Sequence, residues 1–152
     1  MISVVIPNWN GASYLPTCLD ALQSQIFRSF EVIVVDNFST DGSRELLERD
    51  YPEVRVLALD SNQGFTGACN AGIRVAEGAI VVLLNNDTEA APDWLSEIVT
   101  AFKRYPDAGI VASRMLLFNR RDTFHTAGDL FGTDGVPINR GVWQKDTGQY
   151  EE

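Results

Sequence analysis

Four stretches of this chain, residues 2–7 (ISVVIP), 31–36 (EVIVVD), 54–59 (VRVLAL) and 79–84 (AIVVLL), are apolar almost without interruption and rich in β-branched side chains. A strand with one wet face alternates apolar and polar residues. These runs do not alternate, so they are expected to be covered on both faces, as in a parallel sheet. A fifth run, GIVASRMLL (109–117), also reads as a strand. Helical spacing fills the gaps. Leu15, Cys18, Leu19, Leu22 and Ile26 recur every three or four residues, and Leu46 and Leu47 follow Ser39-Thr40-Asp41. The stretch 65–76 offers Ala68, Ala71 and Gly72 for close packing, and Pro92 opens a helix with Leu95, Ile98, Val99 and Phe102 on one face. Strand–helix alternation of this kind predicts a three-layer α/β domain built on a mainly parallel sheet.

From Asn119 the texture changes, with frequent Gly and Asp and a hairpin-like Asp134-Gly135. Two regions are therefore expected: an α/β region over 1–118 and the beginning of a second over 119–152. The acidic end, Tyr150-Glu151-Glu152, supplies no terminating element, which reads as part of a longer protein whose exposed surface would favour self-association. No apolar stretch approaches the ~20 residues of a membrane helix, and no basic segment precedes Ile2 as in a signal peptide. Two cysteines in helical patterns, Cys18 and Cys69, read as reduced core residues, which suits the cytoplasm. With a formal charge of −9 and no stripe of Lys or Arg, nucleic acid is excluded as a partner.

Polar residues collect where each of the first four runs stops: Pro7-Asn8-Trp9-Asn10-Gly11, Asp36-Asn37-Phe38-Ser39, Asp60-Ser61-Asn62-Gln63-Gly64 and Asn85-Asn86-Asp87-Thr88-Glu89. In an open parallel sheet, ligands bind beyond the carboxyl ends of the strands. One such loop could be a helix cap; four at one edge predict a ligand site. The chain lacks GxGxxG after its first strand and a GxxxxGK[ST] loop, and His125 stands without a serine elbow. Asp87 could hold a hard divalent cation, Mg²⁺ or Mn²⁺, because such ions commonly take one or two protein carboxylates and leave the rest of the shell to water and phosphate.

The segments VVIPNWNG, VIVVDNFSTDGS, NQGFTGACNAGI and LLNNDTEAAPDWL resemble the successive signatures of family 2 glycosyltransferases of the GT-A fold, from Ile2 to about Val111. Asn85-Asn86-Asp87 followed by a Gly-rich hairpin is most similar to bacterial rhamnosyltransferase-type members. The resemblance implies a nucleotide-diphosphate sugar donor (dTDP- or UDP-linked), a divalent metal, and inverting transfer to a glycan or lipid-linked acceptor. It implies a place in the cytoplasm or at the inner membrane face.

It also implies roles. Asp36 would accept from a pyrimidine base, although it could instead cap the next helix, a task for which Ser39 and Asp41 are better placed. Pro7 and Asn8 match a nucleotide-contacting loop, with Asn10 and Ser39 in the same strand-end loops. Trp9 would pack beside the base or fill the core. Asn62, Gly64 and Asn70 match a donor-lining segment, Gly64 by allowing close backbone approach. Asn85-Asn86-Asp87 stands where the family has DxD; Asn85 departs from it and would leave Asp87 to carry the metal nearly alone. The general base falls outside the matched motifs. Asp129, Asp134 and His125 read as structural. A non-catalytic nucleotide-binding module is the alternative. A nucleotidyltransferase-like enzyme is disfavoured because residues 8–16 contain neither Lys nor Arg.

Overall fold

The structure, a computed structural model, describes residues 1–150; Glu151 and Glu152, at which the sequence suggests an unfinished end, lie outside the described residues. Residues Met1–Ser96 form one compact unit and the described residues from Glu97 onward another.

In the first unit, β1 (Ile2–Asn8), α1 (Leu15–Gln23), β2 (Phe30–Asp36), α2 (Ser43–Asp50), β3 (Arg55–Ala58), α3 (Gly64–Val75) and β4 (Ile80–Leu83) alternate along the chain. The strands form one parallel sheet in the order β3-β2-β1-β4. Central β1 and β2 justify the expectation of double cover: Ile2, Val4, Val5, Ile6, Ile33, Val34 and Val35 are all buried. β4, at an edge, is covered on one side only, with Val81 and Leu83 38% and 50% exposed. An uninterrupted apolar run therefore does not by itself distinguish a central strand from an edge.

Small residues let α3 lie close on the sheet. Ala68 packs with Val5, Ile33 and Val35. Gly72 is closer still: a Cβ there would stand 2.3 Å from Val5 Cγ1 and 2.9 Å from Val35 Cγ2. The side chains that alternate to the other face, Ile2, Val4 and Ile6, are equally buried. Leu19 and Leu22 of α1 share a depression with Phe30, Val32 and Val54 there. At the amino ends of the strands, Ser3 Oγ donates to Glu31 while accepting from Gly78 N–H at 2.8 Å, and Glu77 N–H donates to the same carboxylate. Those bonds, Ser3 foremost, hold the Glu31 pKa below the usual carboxylate range.

The helix α4 (Trp94–Arg104) runs from the first unit into the second. The Gln25 side chain fixes its start, accepting from Leu95 N–H at 3.0 Å and donating to Ala91 O at 2.6 Å. The second unit then contains two antiparallel hairpins, β5 (Met115–Leu117) with β6 (Arg120–Thr126) and β7 (Asp129–Phe131) with β8 (Pro137–Asn139). The fifth apolar run is thus strand only over its last residues, and it pairs antiparallel outside the parallel sheet. Ile110, 89% exposed, shows why: that part of the run has no core to enter. Phe124, buried beneath Tyr150 with ring centroids 5.4 Å apart, is the centre of the unit. Asp134 is a turn residue, accepting from Val136 N–H at 3.1 Å, and His125 is exposed on β6.

The α3–sheet contact leaves no room for a side chain at Gly72. Gly72→Ala is expected to lower unfolding free energy by about 1–3 kcal/mol, the usual cost of overpacking, read from urea midpoints at unchanged slope. An unaltered midpoint would mean that α3 can lift off the sheet freely.

Candidate functional site

A cleft of about 470 Å³ opens at the carboxyl ends of the strands. Pro7, Asn8 and Trp9 of β1 and its following loop form one part of its lining. Asn37, Asn62, Gly64 and Phe65 form another, and Asn85, Asn86 and Asp87, after β4, a third. β1 lies between β2 and β4, so this is where the strand order reverses, the position at which open α/β sheets bind ligands.

Beneath the cleft lies a buried carboxylate. Asp36, at the end of β2, has no exposed surface. Its Oδ2 accepts from Arg44 Nε of α2 and from Ser39 N–H at 3.2 Å. Its Oδ1 accepts a long 3.4 Å bond from Asn8 Nδ2. Burial alone would raise the Asp36 pKa, but the hydrogen bonds from Ser39 and Arg44, together with the Arg44 charge, hold it below the usual range. The carboxylate expected to face a base thus stands behind the wall and reaches the cleft through Asn8.

The two expected capping residues do different work. Asp41 accepts from Ser43 N–H at 3.1 Å at the start of α2, and from Ala12 N–H at 2.8 Å across the loops. Ser39 caps nothing. Its Oγ accepts from Asn10 N–H at 2.9 Å and Asn8 Nδ2 at 3.3 Å. Asn10, in the left-handed region at φ 52°, accepts from Thr40 N–H through its Oδ1 at 2.8 Å. Asn10 and Ser39 therefore join the loops after β1 and β2 and do not themselves line the cleft.

Asn37 was not singled out from sequence, yet it organises the second part of the lining. Its Nδ2 donates to Asn62 Oδ1 at 3.0 Å and Gly64 O at 3.1 Å, and its Oδ1 accepts from Gln63 N–H at 2.8 Å. Gly64 is required by its backbone, at φ +71°, whereas a Cβ would meet nothing within 4 Å. The expected close approach is thus a matter of torsion. Asn70 lies on the exposed side of α3, outside the lining. Trp9 and Phe65, 59% and 61% exposed, settle the alternative for Trp9: it is no core residue, and both rings offer apolar faces at the cleft.

In the third segment, Asn86 Nδ2 donates to Asn8 Oδ1 at 2.7 Å, and Thr88 Oγ1 to Asn85 O at 2.7 Å. Gly11 lies against the amide pair; a Cβ there would stand 2.1 Å from Asn86 Nδ2 and 2.3 Å from Asn8 Oδ1. Cys18 Sγ also donates to Asn85 O, at 3.7 Å, and burial pushes this thiol up to about 11, leaving it unreactive. Asp87 is exposed and makes no hydrogen bond or ion pair with a described residue. No group of three or more His, Cys, Asp or Glu able to enclose a metal occurs among the described residues. A lone carboxylate in this setting fits a hard cation that keeps most of its shell as water and ligand oxygen, and does not fit a structural zinc or calcium cage.

Residues 3–147 match the model of Glycosyl transferase family 2. The chain belongs to this family. It is 33% identical over 131 residues to glycosyltransferase AglE of Haloferax volcanii, covering 74% of this chain and 43% of that one. It is 28% identical over 144 residues to GlyG of Streptococcus pneumoniae, covering 91% and 48%. Among solved structures it resembles S. aureus TarS 1–349, a GT-A glycosyltransferase (TM-score 0.64, 24% identity, covering 79% of this chain and 43% of that one). It also resembles the mannosyltransferase PcManGT of Pyrobaculum calidifontis (TM-score 0.62, 27% identity, covering 76% and 35%). The chain therefore spans less than half the length of these relatives. The GT-A fold that the motif resemblance implied is present.

Because the Asp36 pKa is depressed on folding, its contribution to stability is present above the unfolded value of about 3.9 and is lost as pH falls through the folded value. Arg44→Met removes the compensating charge while burial stays. Acid unfolding followed by circular dichroism should then begin at higher pH than in the wild type. An unmoved midpoint would show that Ser39 alone keeps the carboxylate ionised.

Proposed function

We propose that the cleft binds the nucleoside-diphosphate part of a sugar donor, as the donor half of an inverting glycosyltransferase. The observation carrying this reading is the convergence, at the switch point of the sheet, of Pro7-Asn8-Trp9, Asn62-Gly64-Phe65 and a loop that leaves Asp87 unpaired among the described residues. The bound ligands of solved relatives support it: TarS has been solved with UDP and with UDP-GlcNAc, and PcManGT with GDP-Man and Mn²⁺.

On this reading Trp9 and Phe65 flank the base and ribose, while Asp36 orders the base side of the cleft through Asn8 and Ser39. Asn62, Gly64 and Asn85 meet ribose and phosphate oxygens. Asn70 is a contact for the sugar end, added from the resemblance alone. Asp87 would hold Mg²⁺ or Mn²⁺ beside the diphosphate. When bound, such a cation offsets the charge of the departing diphosphate. The attacking hydroxyl also needs a base. Among the described residues lining the cleft, Asp87 is the one carboxylate, and it is committed to the cation. The base therefore comes from elsewhere in the whole protein, with the glycan or lipid-linked acceptor.

A dTDP or UDP donor, kinship with rhamnosyltransferases, and work in the cytoplasm or at the inner membrane face complete the proposal. No helix among the described residues is long and apolar enough to cross a membrane. Exposed Leu130, Phe131, Val136 and Ile138 of the second hairpin favour self-association.

Titration calorimetry with UDP, dTDP and ADP, with and without Mn²⁺, is the test. Wild-type protein should bind the pyrimidine nucleotides at least about tenfold more tightly with Mn²⁺, a gain of about 1.4 kcal/mol, and Asp87→Ala should lose that gain. Equal enhancement in both proteins would remove Asp87 from the metal site, and no binding by the wild type would overturn the reading.

A further inference from the structure

Asn86 is the middle residue of the loop that stands in the DxD position, flanked by the two residues assigned to ligand and metal. Its amide is turned elsewhere. It donates to Asn8 Oδ1 at 2.7 Å, Asn8 donates in turn to Asp36 Oδ1, and Arg44 and Ser39 occupy Asp36 Oδ2. These bonds form one chain from α2 beneath the cleft to the loop after β4.

The direction of the chain is fixed by one group. An ionised carboxylate accepts and cannot donate, so Asn8 must turn its Nδ2 toward Asp36. The same amide then presents its oxygen to Asn86, which must answer with Nδ2. We propose that Asn86 is a positioning residue whose amide is oriented by Asp36 through Asn8, so that a buried carboxylate two residues removed sets the loop carrying Asn85 and Asp87. Gly11 keeps the amide pair in register, since any Cβ at that position would strike both members. Asn8 is buried and cannot turn over without placing its oxygen against the Asp36 carboxylate.

Reversing the chain tests it. Asn86→Asp cannot donate to Asn8, and Asn8 cannot flip to meet it while Asp36 is ionised. Asp36→Asn removes that block. Its oxygen can stay with Arg44 and Ser39 while its Nδ2 donates to a flipped Asn8, whose own Nδ2 then serves the carboxylate introduced at position 86. The double variant D36N/N86D restores the bonds from residue 36 to Asn8 and from Asn8 to residue 86 with opposite direction, and it keeps the wild-type net charge. Ser39 Oγ, which accepts from Asn8 Nδ2 at 3.3 Å, turns its hydroxyl to donate to the flipped amide. D41N/N86D matches the charge without reversing the chain.

Two readouts separate this inference from the donor-binding reading on which its ligand arm rests. The first is thermal unfolding of the ligand-free proteins. N86D should lower Tm, D36N/N86D should recover most of the loss, and D41N/N86D should not. The second is the Kd for UDP with Mn²⁺, expected to weaken about tenfold in N86D and to be regained only in D36N/N86D. Additive losses of Tm in D36N/N86D, or equal recovery in D41N/N86D, would overturn the chain. Recovery of Tm without recovery of Kd would limit it to folding and reject the positioning role. If no protein, wild type included, binds UDP, the donor-binding reading fails while the Tm pattern still judges the orientation of Asn86.

Discussion

A carboxylate without exposed surface at the end of a parallel strand is costly unless every oxygen is met by a donor. Asp36 is such a group, and much of the surrounding architecture is the means of meeting it. Arg44 must come from α2, which fixes where that helix begins. The loop after β2 must turn so that Ser39 N–H points back, and the end of β1 must carry an amide that can donate sideways. Asn8 and Ser39 then tie the β1 and β2 loops together, with Asn10 and Asp41 adding bonds at the surface. A binding edge made of loops is thereby tied to the strands that carry it.

The sheet order determines what these ties can reach. With β1 between β2 and β4, the residue at its end touches the loops of both neighbours. Asn8 uses one amide for each: nitrogen to Asp36 and Ser39, oxygen to Asn86. At the end of an edge strand such as β3 or β4, one side of that amide would face away from the sheet. At the switch point a single side chain, Asn8, therefore couples the loops on its two sides.

The central strands β1 and β2 were legible because burial on both faces leaves an uninterrupted apolar run, and the close packing of α3 because Ala68 and Gly72 have little other purpose. Residues 109–117 misled for the same reason. Apolar composition reports a preference for a core, and Ile110 shows that the preference can go unmet. The cleft was legible as a place, since amides and carboxylates at four strand ends share one edge. Its internal wiring was not. Asn10, Asn37 and Ser39 are residue types that serve turns, caps and ligands equally, and only geometry separates Asn37 in the lining from Asn10 and Ser39 behind it. Asp36 presented the subtlest case: sequence placed it at the right strand end but could not reveal Arg44, eight residues on, arriving from a helix.

The prevalence of amides in the cleft follows from charge. The chain carries −9, and no Lys or Arg is among the residues lining the cleft. A diphosphate entering a site walled with carboxylates would be repelled at every contact; amides donate and accept without adding charge. On the proposed reading, in which Asp87 holds a cation, amides in place of carboxylates have a consequence. A single carboxylate gives a cation few fixed ligands, so affinity depends on how well the other oxygens are placed when it arrives. A mobile loop would surrender that advantage to entropy. Tethering Asn86 to the sheet through Asn8 limits that loss without adding a second negative charge, which is how an amide in the middle of the loop can matter to a metal it need never touch.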